Sequence, residues 1–292
     1  DPLAVEDYFA LGYVPDPRCI YQGAHKLPAG HRMLWRRAAG GQAAAMPVSA
    51  PYWDVRFTLD NPISQADAEA ELRERVRESV RLRMIADVPL GAFLSGGVDS
   101  SAVVATMAGL SKLPVRTCAI GFDDPQFNES AFAQMVADRY HTDHRLEIVQ
   151  SDDFDLIDTL ARLYDEPFAD SSALPTYRVC QMARKHVTVA LSGDGGDESL
   201  GGYRRYRMHL GEERARQSLP LGVRQSVFGP LGRWYPKADW APRPLRAKTT
   251  FQALAMDSAE AYQHSMSRLR TEQRRALFSE SFQQSLGGYQ TV

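Results

Sequence analysis

At 292 residues, 44% of them hydrophobic, the chain is long enough for one large or two ordinary domains around a buried core. Its net charge of −2, with both signs mixed throughout, offers no basic field to nucleic acid, and no apolar run approaches the ~18 residues that cross a bilayer. Three scattered cysteines, Cys19, Cys118 and Cys180, form no C-x-x-C pair, and Asp1 to Asp7 carries no basic leader, so a reducing, cytoplasmic setting is expected.

Residues 1–60 are punctuated by turns at Pro15-Asp16-Pro17, Pro28-Ala29-Gly30 and Gly40-Gly41, with short apolar runs such as Met33-Leu34-Trp35 between them. Two strands around a turn near Gly40 are expected, then an extended stretch through Pro47, Pro51 and Trp53. This part reads as a segment connecting to a further domain upstream. A helix should start at Ser64, a candidate cap ahead of Asp67 and Glu69, and Leu72, Val76, Val80 and Met84 form one apolar stripe along it. Its other face, with Arg73, Glu74, Arg77 and Glu78, is most simply solvated.

From there strand and helix patterns alternate. Strands are expected at Val88 to Leu94, Val115 to Phe122, Arg145 to Val149 and Val187 to Leu191. Between them fall helices from Ser100 to Leu110, Glu129 to Tyr140, Phe154 to Tyr164 and Pro175 to His186. Such alternation predicts an α/β fold: an open, largely parallel sheet with helices on both faces, over residues 61–210, with ligands at the carboxyl ends of the strands. Residues 211–292 read as a mainly helical extension with proline-rich interruptions at 236–244. His141 and His144 lack a third ligand at a familiar metal spacing and are better read as a polar turn.

Two glycine-rich stretches fall at strand ends. In Ala92-Phe93-Leu94-Ser95-Gly96-Gly97-Val98-Asp99-Ser100-Ser101, Gly96 and Gly97 let backbone N–H groups approach an anion, and the helix that follows adds its free N–H groups and positive dipole end. Ser95, Ser100 and Ser101 add hydroxyl donors. Asp99 suits a phosphate only with a divalent cation between them, so the stretch reads as a loop for Mg²⁺-pyrophosphate. The second stretch runs from Leu191-Ser192-Gly193-Asp194-Gly195-Gly196-Asp197-Glu198 to Tyr203, where a carboxylate could share the cation with Asp99 while Ser192 and Gly193 approach the nucleotide. Between them lies Asp165-Glu166-Pro167, followed by Ser171 and Ser172, which either cap the next helix or contact substrate.

The Ser95-Gly96-Gly97-Val98-Asp99-Ser100 string resembles the loop of the N-type ATP pyrophosphatases. Together with Asp7-Tyr8-Phe9, Lys26-Leu27-Pro28-Ala29-Gly30, Tyr52-Trp53, Asp165-Glu166-Pro167 and Ser192 to Tyr203, it resembles the synthetase domain of glutamine-dependent asparagine synthetases and related amidotransferases. The resemblance implies an adenine nucleotide alpha-hydrolase-like fold in which Leu94, Ser95, Gly96, Gly97, Val98, Asp99, Ser100, Ile120, Ser192 and Gly193 hold ATP. Asp99 and Asp197 would bind Mg²⁺, and Asp194 would be the catalytic-site acid, a glutamate in typical asparagine synthetases. The implied reaction adenylates a carboxylate, aspartate by default, and passes ammonia to it; the shorter Asp194 also points toward another acceptor. Ammonia would come from a glutaminase domain absent here, and a homodimer stays open. The family's later catalytic lysine has no counterpart before Val292, since the surroundings of Lys248 do not match. A rival expectation is therefore an ATP-binding fragment without turnover.

Overall fold

The computed structural model describes residues 1–35, 47–58, 62–124, 126, 128–149, 156–236, 240, 242 and 246–291. In chain order its elements are α1 (Pro2–Leu11), β1 (His31–Met33), β2 (Ser49–Pro51), α2 (Gln65–Arg83), β3 (Leu90–Phe93), α3 (Val98–Leu110), β4 (Arg116–Phe122), α4 (Ser130–Tyr140), β5 (Asp143–Val149), α5 (Ile157–Leu163), α6 (Ala173–Ala183), β6 (Val189–Leu191) and α7 (Gly196–Leu200). There follow α8 (Arg204–Ser218), α9 (Leu221–Trp234), α10 (Lys248–Leu254), α11 (Ser258–Met266), α12 (Thr271–Leu277) and α13 (Glu280–Ser285). The chain divides into two compact units, one of residues 57–163 and 170–202, the other of residues 1–56, 164–169 and 203–292. Among the described residues no helix is long and apolar enough to cross a membrane.

The first unit is a four-stranded sheet in the order β5-β4-β3-β6, every pair parallel, as the alternating pattern predicts. The side chains of the strands divide by parity. Ala92, Leu94 and Ala119 join one cluster with Val80 of α2, Val104 and Met107 of α3, and Ala133 and Ala137 of α4. Phe93, Cys118 and Ala190 pack on the other face against Met182 and Ala183 of α6. Helices thus cover both faces, and the chain reverses direction beside β3: it winds outward to β4 and β5, then returns through α6 to place β6 on β3's free side.

α2 starts where its sequence signal puts it, with the Ser64 hydroxyl accepting from the Asp67 N–H at 3.2 Å. Its stripe packs through Val76, Val80 and Met84, while Leu72 remains 40% exposed. α3 begins two residues before Ser100, because Gly97 is already at the cap position. Ser172 occupies the cap of α6, yet its side chain makes no capping bond; its N–H donates instead to Asp170 Oδ1 at 2.9 Å.

In the second unit, α1 forms where a connecting segment was expected. The Asp1 carboxylate accepts from the Leu3 N–H at 2.8 Å and Pro2 supplies the preset φ of a first helical turn. The expected strand pair is present as antiparallel β1 and β2, while its turn near Gly40, the start of the helix expected at Phe154 and much of 236–244 lie outside the described residues. α1 is fixed by buried polar contacts. Asp7 accepts from Arg18 Nε at 2.7 Å, Tyr289 OH at 2.8 Å and Thr291 Oγ1 at 2.7 Å. Glu6 pairs with Arg274 at 2.9 Å, both side chains buried.

Candidate functional site

The site is built at the carboxyl ends of β3 and β6, the adjacent strands where the winding reverses, which is where open parallel sheets collect ligands. Leu94 follows β3 with its N–H bonded to Cys118 O at 2.9 Å and its side chain 1% exposed in the core, so only its carbonyl is free to face a ligand. The chain then turns at Gly96, whose φ of +82° lies in the left-handed region. A Cβ there would fall 2.6 Å from both Ala133 N and Phe132 Cβ, so glycine lets the loop lie directly on the first turn of α4.

Gly97 starts α3 with no side-chain cap, which leaves the N–H groups of the first turn directed away from the helix. Around that end Ser95 Oγ and Ser100 Oγ lie 2.9 Å apart, the Gly97 N–H donates to Ser95 Oγ at 3.3 Å, and Ser100 Oγ donates to Gly97 O at 3.2 Å. Ser100 is buried, Asp99 half-buried, and Val98 85% exposed. An uncapped helix start flanked by two hydroxyls and a glycine backbone is a donor set that suits phosphate oxygens.

The second loop seats itself against this one. Backbone at Gly193 comes so close to α3 that a Cβ would lie 2.6 Å from Ser100 N and 2.8 Å from Asp99 C. A Cβ at Gly196 would lie 2.5 Å from Asp99 Cγ. Ser192 Oγ accepts from the Asp194 N–H at 3.0 Å, which turns the chain outward and leaves Asp194 exposed. Asp197, half-buried in α7, sits one residue beyond the glycine that touches Asp99, so the two proposed cation ligands belong to loops in direct contact. Among the described residues no group of three His, Cys, Asp or Glu is arranged for a metal. A cation here would thus depend on two carboxylates together with oxygens from phosphate, the manner in which Mg²⁺ is usually held.

Ile120 is half-buried near the carboxyl end of β4, in register with Glu147 of β5. The connection after β4 lies outside the motifs that carry the resemblance. Asn128 holds it, donating from Nδ2 to Phe122 O at 2.8 Å and accepting from the Ser130 N–H at 3.0 Å. An Asx turn two residues before the helix was the available signal. His144 Nδ1 meets Thr117 Oγ1 at 2.9 Å at the opposite end of the strand, and burial holds its ring below the usual histidine range.

The other residues of the resemblance lie in the second unit and meet one another. Lys26 pairs with Glu166, which also accepts from the Ile20 N–H at 2.6 Å. Burial would raise the Glu166 carboxyl, but the Lys26 and Ile20 hydrogen bonds outweigh it and hold the group below the usual glutamate range. Gly30 has φ of +67°, accepts from the Tyr52 N–H at 2.8 Å, and has no room for a Cβ beside the Trp53 carbonyl.

The parallel sheet, its two-sided helical cover and the paired loops define an α/β domain with the adenine nucleotide alpha-hydrolase-like fold. The Asparagine synthase family profile matches residues 71–286, and the chain belongs to that family. A Methanocaldococcus jannaschii protein provisionally named a glutamine-hydrolyzing asparagine synthetase is 41% identical over 208 residues, covering 68% of this chain and 38% of that protein. Asparagine synthetase [glutamine-hydrolyzing] 1 of Bacillus subtilis is 30% identical over 231 residues, 78% of this chain and 35% of its own length. Amidase chry2 of Gibberella zeae is 25% identical over 270 residues, 81% of this chain and 38% of its own. The chain therefore spans a little over a third of the length of these relatives.

Proposed function

We propose that this chain carries the ATP-dependent, amide-forming half of an asparagine-synthetase-type ligase. The observation that carries the reading is the seating of Gly193 and Gly196 on Asp99 and the uncapped start of α3. This sets an uncapped helix start and the Asp99 carboxylate beside the second loop at one switch point of a parallel sheet, which supports the reading.

In this reading the α3 N–H groups, Ser95, Ser100 and the Gly193 backbone bind the phosphates of ATP, with Ile120 beside the base. A substrate carboxylate oxygen attacks the α-phosphorus, and the bond to pyrophosphate breaks. Ammonia then attacks the acyl carbon, and AMP departs with the electron pair of the cleaved bond. Mg²⁺, when bound, supplies charge neutralisation to the departing pyrophosphate, and Asp99 and Asp197 are the residues that would hold it. The loop positions the reacting groups and the N–H donors meet charge as it develops. Asp194, exposed at the mouth of the second loop, is the acid set to read the acceptor.

Aspartate is the default acceptor from the names of the asparagine synthetase relatives. The shorter acid at Asp194, together with a relative named as an amidase, favours a different carboxylate as the second reading. The test is pyrophosphate release from Mg²⁺-ATP with aspartate and a panel of other carboxylates at high ammonium. Release that requires one carboxylate and is lost in Asp99→Ala supports the ligase and names its acceptor. Nucleotide bound without release under every carboxylate refutes turnover by this chain.

A further inference from the structure

The second unit contains a cavity of about 920 Å³ between the end of α9, the start of α10 and the α11–α12 connection. α9 and α10 approach closely beneath it, because Gly232 leaves no room for a Cβ, which would lie 2.9 Å from Gln252 Cγ. Charge in its wall is one-sided. Among its described lining residues Arg233, Lys248 and Arg270 stand with one carboxylate, Glu272, while Arg246 and Arg268, also in the wall, have partners of their own.

Lys248 Nζ donates to the Arg233 carbonyl at 3.3 Å and Arg270 Nη1 to the Gln252 amide oxygen at 2.6 Å. These acceptors are neutral, so they orient the two cations without cancelling them. Among the described residues Arg233, Lys248 and Arg270 make no ion pair with a carboxylate. Gathering like charges in a concave wall is unfavourable unless an anion relieves it.

A second lobe of about 470 Å³ shares Gly232, Arg233, Gln252, Arg270 and Glu272 with the first and adds Met256, His264 and a second carboxylate, Glu260, which is exposed. Here His264 Nε2 is buried with no hydrogen-bond partner, a polar atom whose cost is removed when a ligand donates or accepts at that point. Burial and the nearby Arg270 keep the ring below the usual histidine range, hence neutral at physiological pH.

We propose that this cavity binds a small organic phosphate, its dianionic head among Arg233, Lys248 and Arg270 and its uncharged body in the lobe beside Met256 and His264. Phosphate is favoured over a single carboxylate because a dianion answers three cations approaching from two helices and a loop, and guanidinium forks match its oxygens. Each lobe taken singly has the volume of a small-molecule site. The proposal does not rest on the strand-end loops, which belong to the other unit.

The test is calorimetric titration of the full chain with phenyl phosphate, alongside phenol, inorganic phosphate and benzoate. Expected is saturable one-to-one binding about tenfold tighter than either inorganic phosphate or benzoate. Arg233→Glu, at an exposed position, should weaken it by about tenfold or more, with Lys248→Gln as a second, milder variant. His264→Leu should weaken phenyl phosphate while leaving inorganic phosphate unchanged, and the Arg233-dependent binding should persist in Gly193→Val. Absence of saturable binding overturns the proposal. So does binding that is lost in Gly193→Val and kept in Arg233→Glu, which assigns the anion to the strand-end loops, and so does benzoate binding as tightly as phenyl phosphate.

Discussion

Gly193→Ala adds one methyl group at the contact on which the nucleotide site depends. The new Cβ would lie 2.6 Å from Ser100 N and 2.8 Å from Asp99 C, against ordinary contact at 3.4 Å and beyond, so one backbone must retreat by several tenths of an ångström. Neither obstacle is the movable end of a side chain; both are main-chain atoms of the first turn of α3. Overpacking of this kind costs ~1–3 kcal/mol, which lowers the thermal midpoint by several degrees in a domain this size. The functional loss should be larger than that, because misplacing a reacting group by ~1 Å can cost about a hundredfold in rate. Pyrophosphate release should therefore fall by about two orders of magnitude while most of the protein stays folded at assay temperature. Gly109→Ala serves as the companion, since it lies in the same helix with nothing within 4 Å of its Cβ and should raise stability by up to ~1 kcal/mol. A Gly193→Ala protein with unchanged midpoint and unchanged release would refute the claim that these loops are held in contact at that residue.

Three further outcomes follow from named contacts. Arg274→Met strands the Glu6 carboxylate in a buried site and should cost ~3–5 kcal/mol in urea unfolding, whereas Glu6→Leu with Arg274→Met should regain most of that loss; equal damage in single and double variants would contradict it. Glu166 has a lowered carboxyl pKa, so its contribution to stability is present above the ordinary glutamate range and lost as pH falls through the lowered value. Lys26→Met removes one cause of the lowering, so the thermal midpoint should drop above the glutamate range and its acid-side fall should become shallower, and superimposable pH curves would count against the pair. Asp7→Asn keeps the size of the side chain but replaces one acceptor oxygen among three donors, and should lower the midpoint without altering nucleotide affinity at the other unit.

Much of the sheet was legible because its strands carry two different apolar faces in alternation, as Ala92 and Leu94 against Phe93 make plain. The position of β6 beside β3 was not legible, since which parallel strand pairs with which depends on where crossovers pack and leaves no mark on a single strand. α1 was missed although Asp1-Pro2 carried both a cap and a first-turn proline; its low amphipathy hid it behind the proline-rich turns that follow. Ser172 misled for a local reason: Asp170, two residues earlier, takes the N–H of Ser172 and forms an Asx turn in place of a serine cap.

Each glycine loop was legible alone, and a shared cation and nucleotide already called for the two to meet, but the contact of Gly193 and Gly196 with Asp99 was not legible, because these residues are distant in sequence and meet only through the β3–β6 pairing. The remaining residues of the resemblance separate on the same physical ground. Lys26 with Glu166, Gly30 with Tyr52 and Trp53, and Asp7 with Arg18, Tyr289 and Thr291 satisfy one another inside the second unit. These contacts lie within that unit and contribute to its stability. Gly96, Gly97, Ser95 and Asp99 are the opposite case: donors without a cap and a carboxylate beside bare glycine backbone, an arrangement that folding alone does not require.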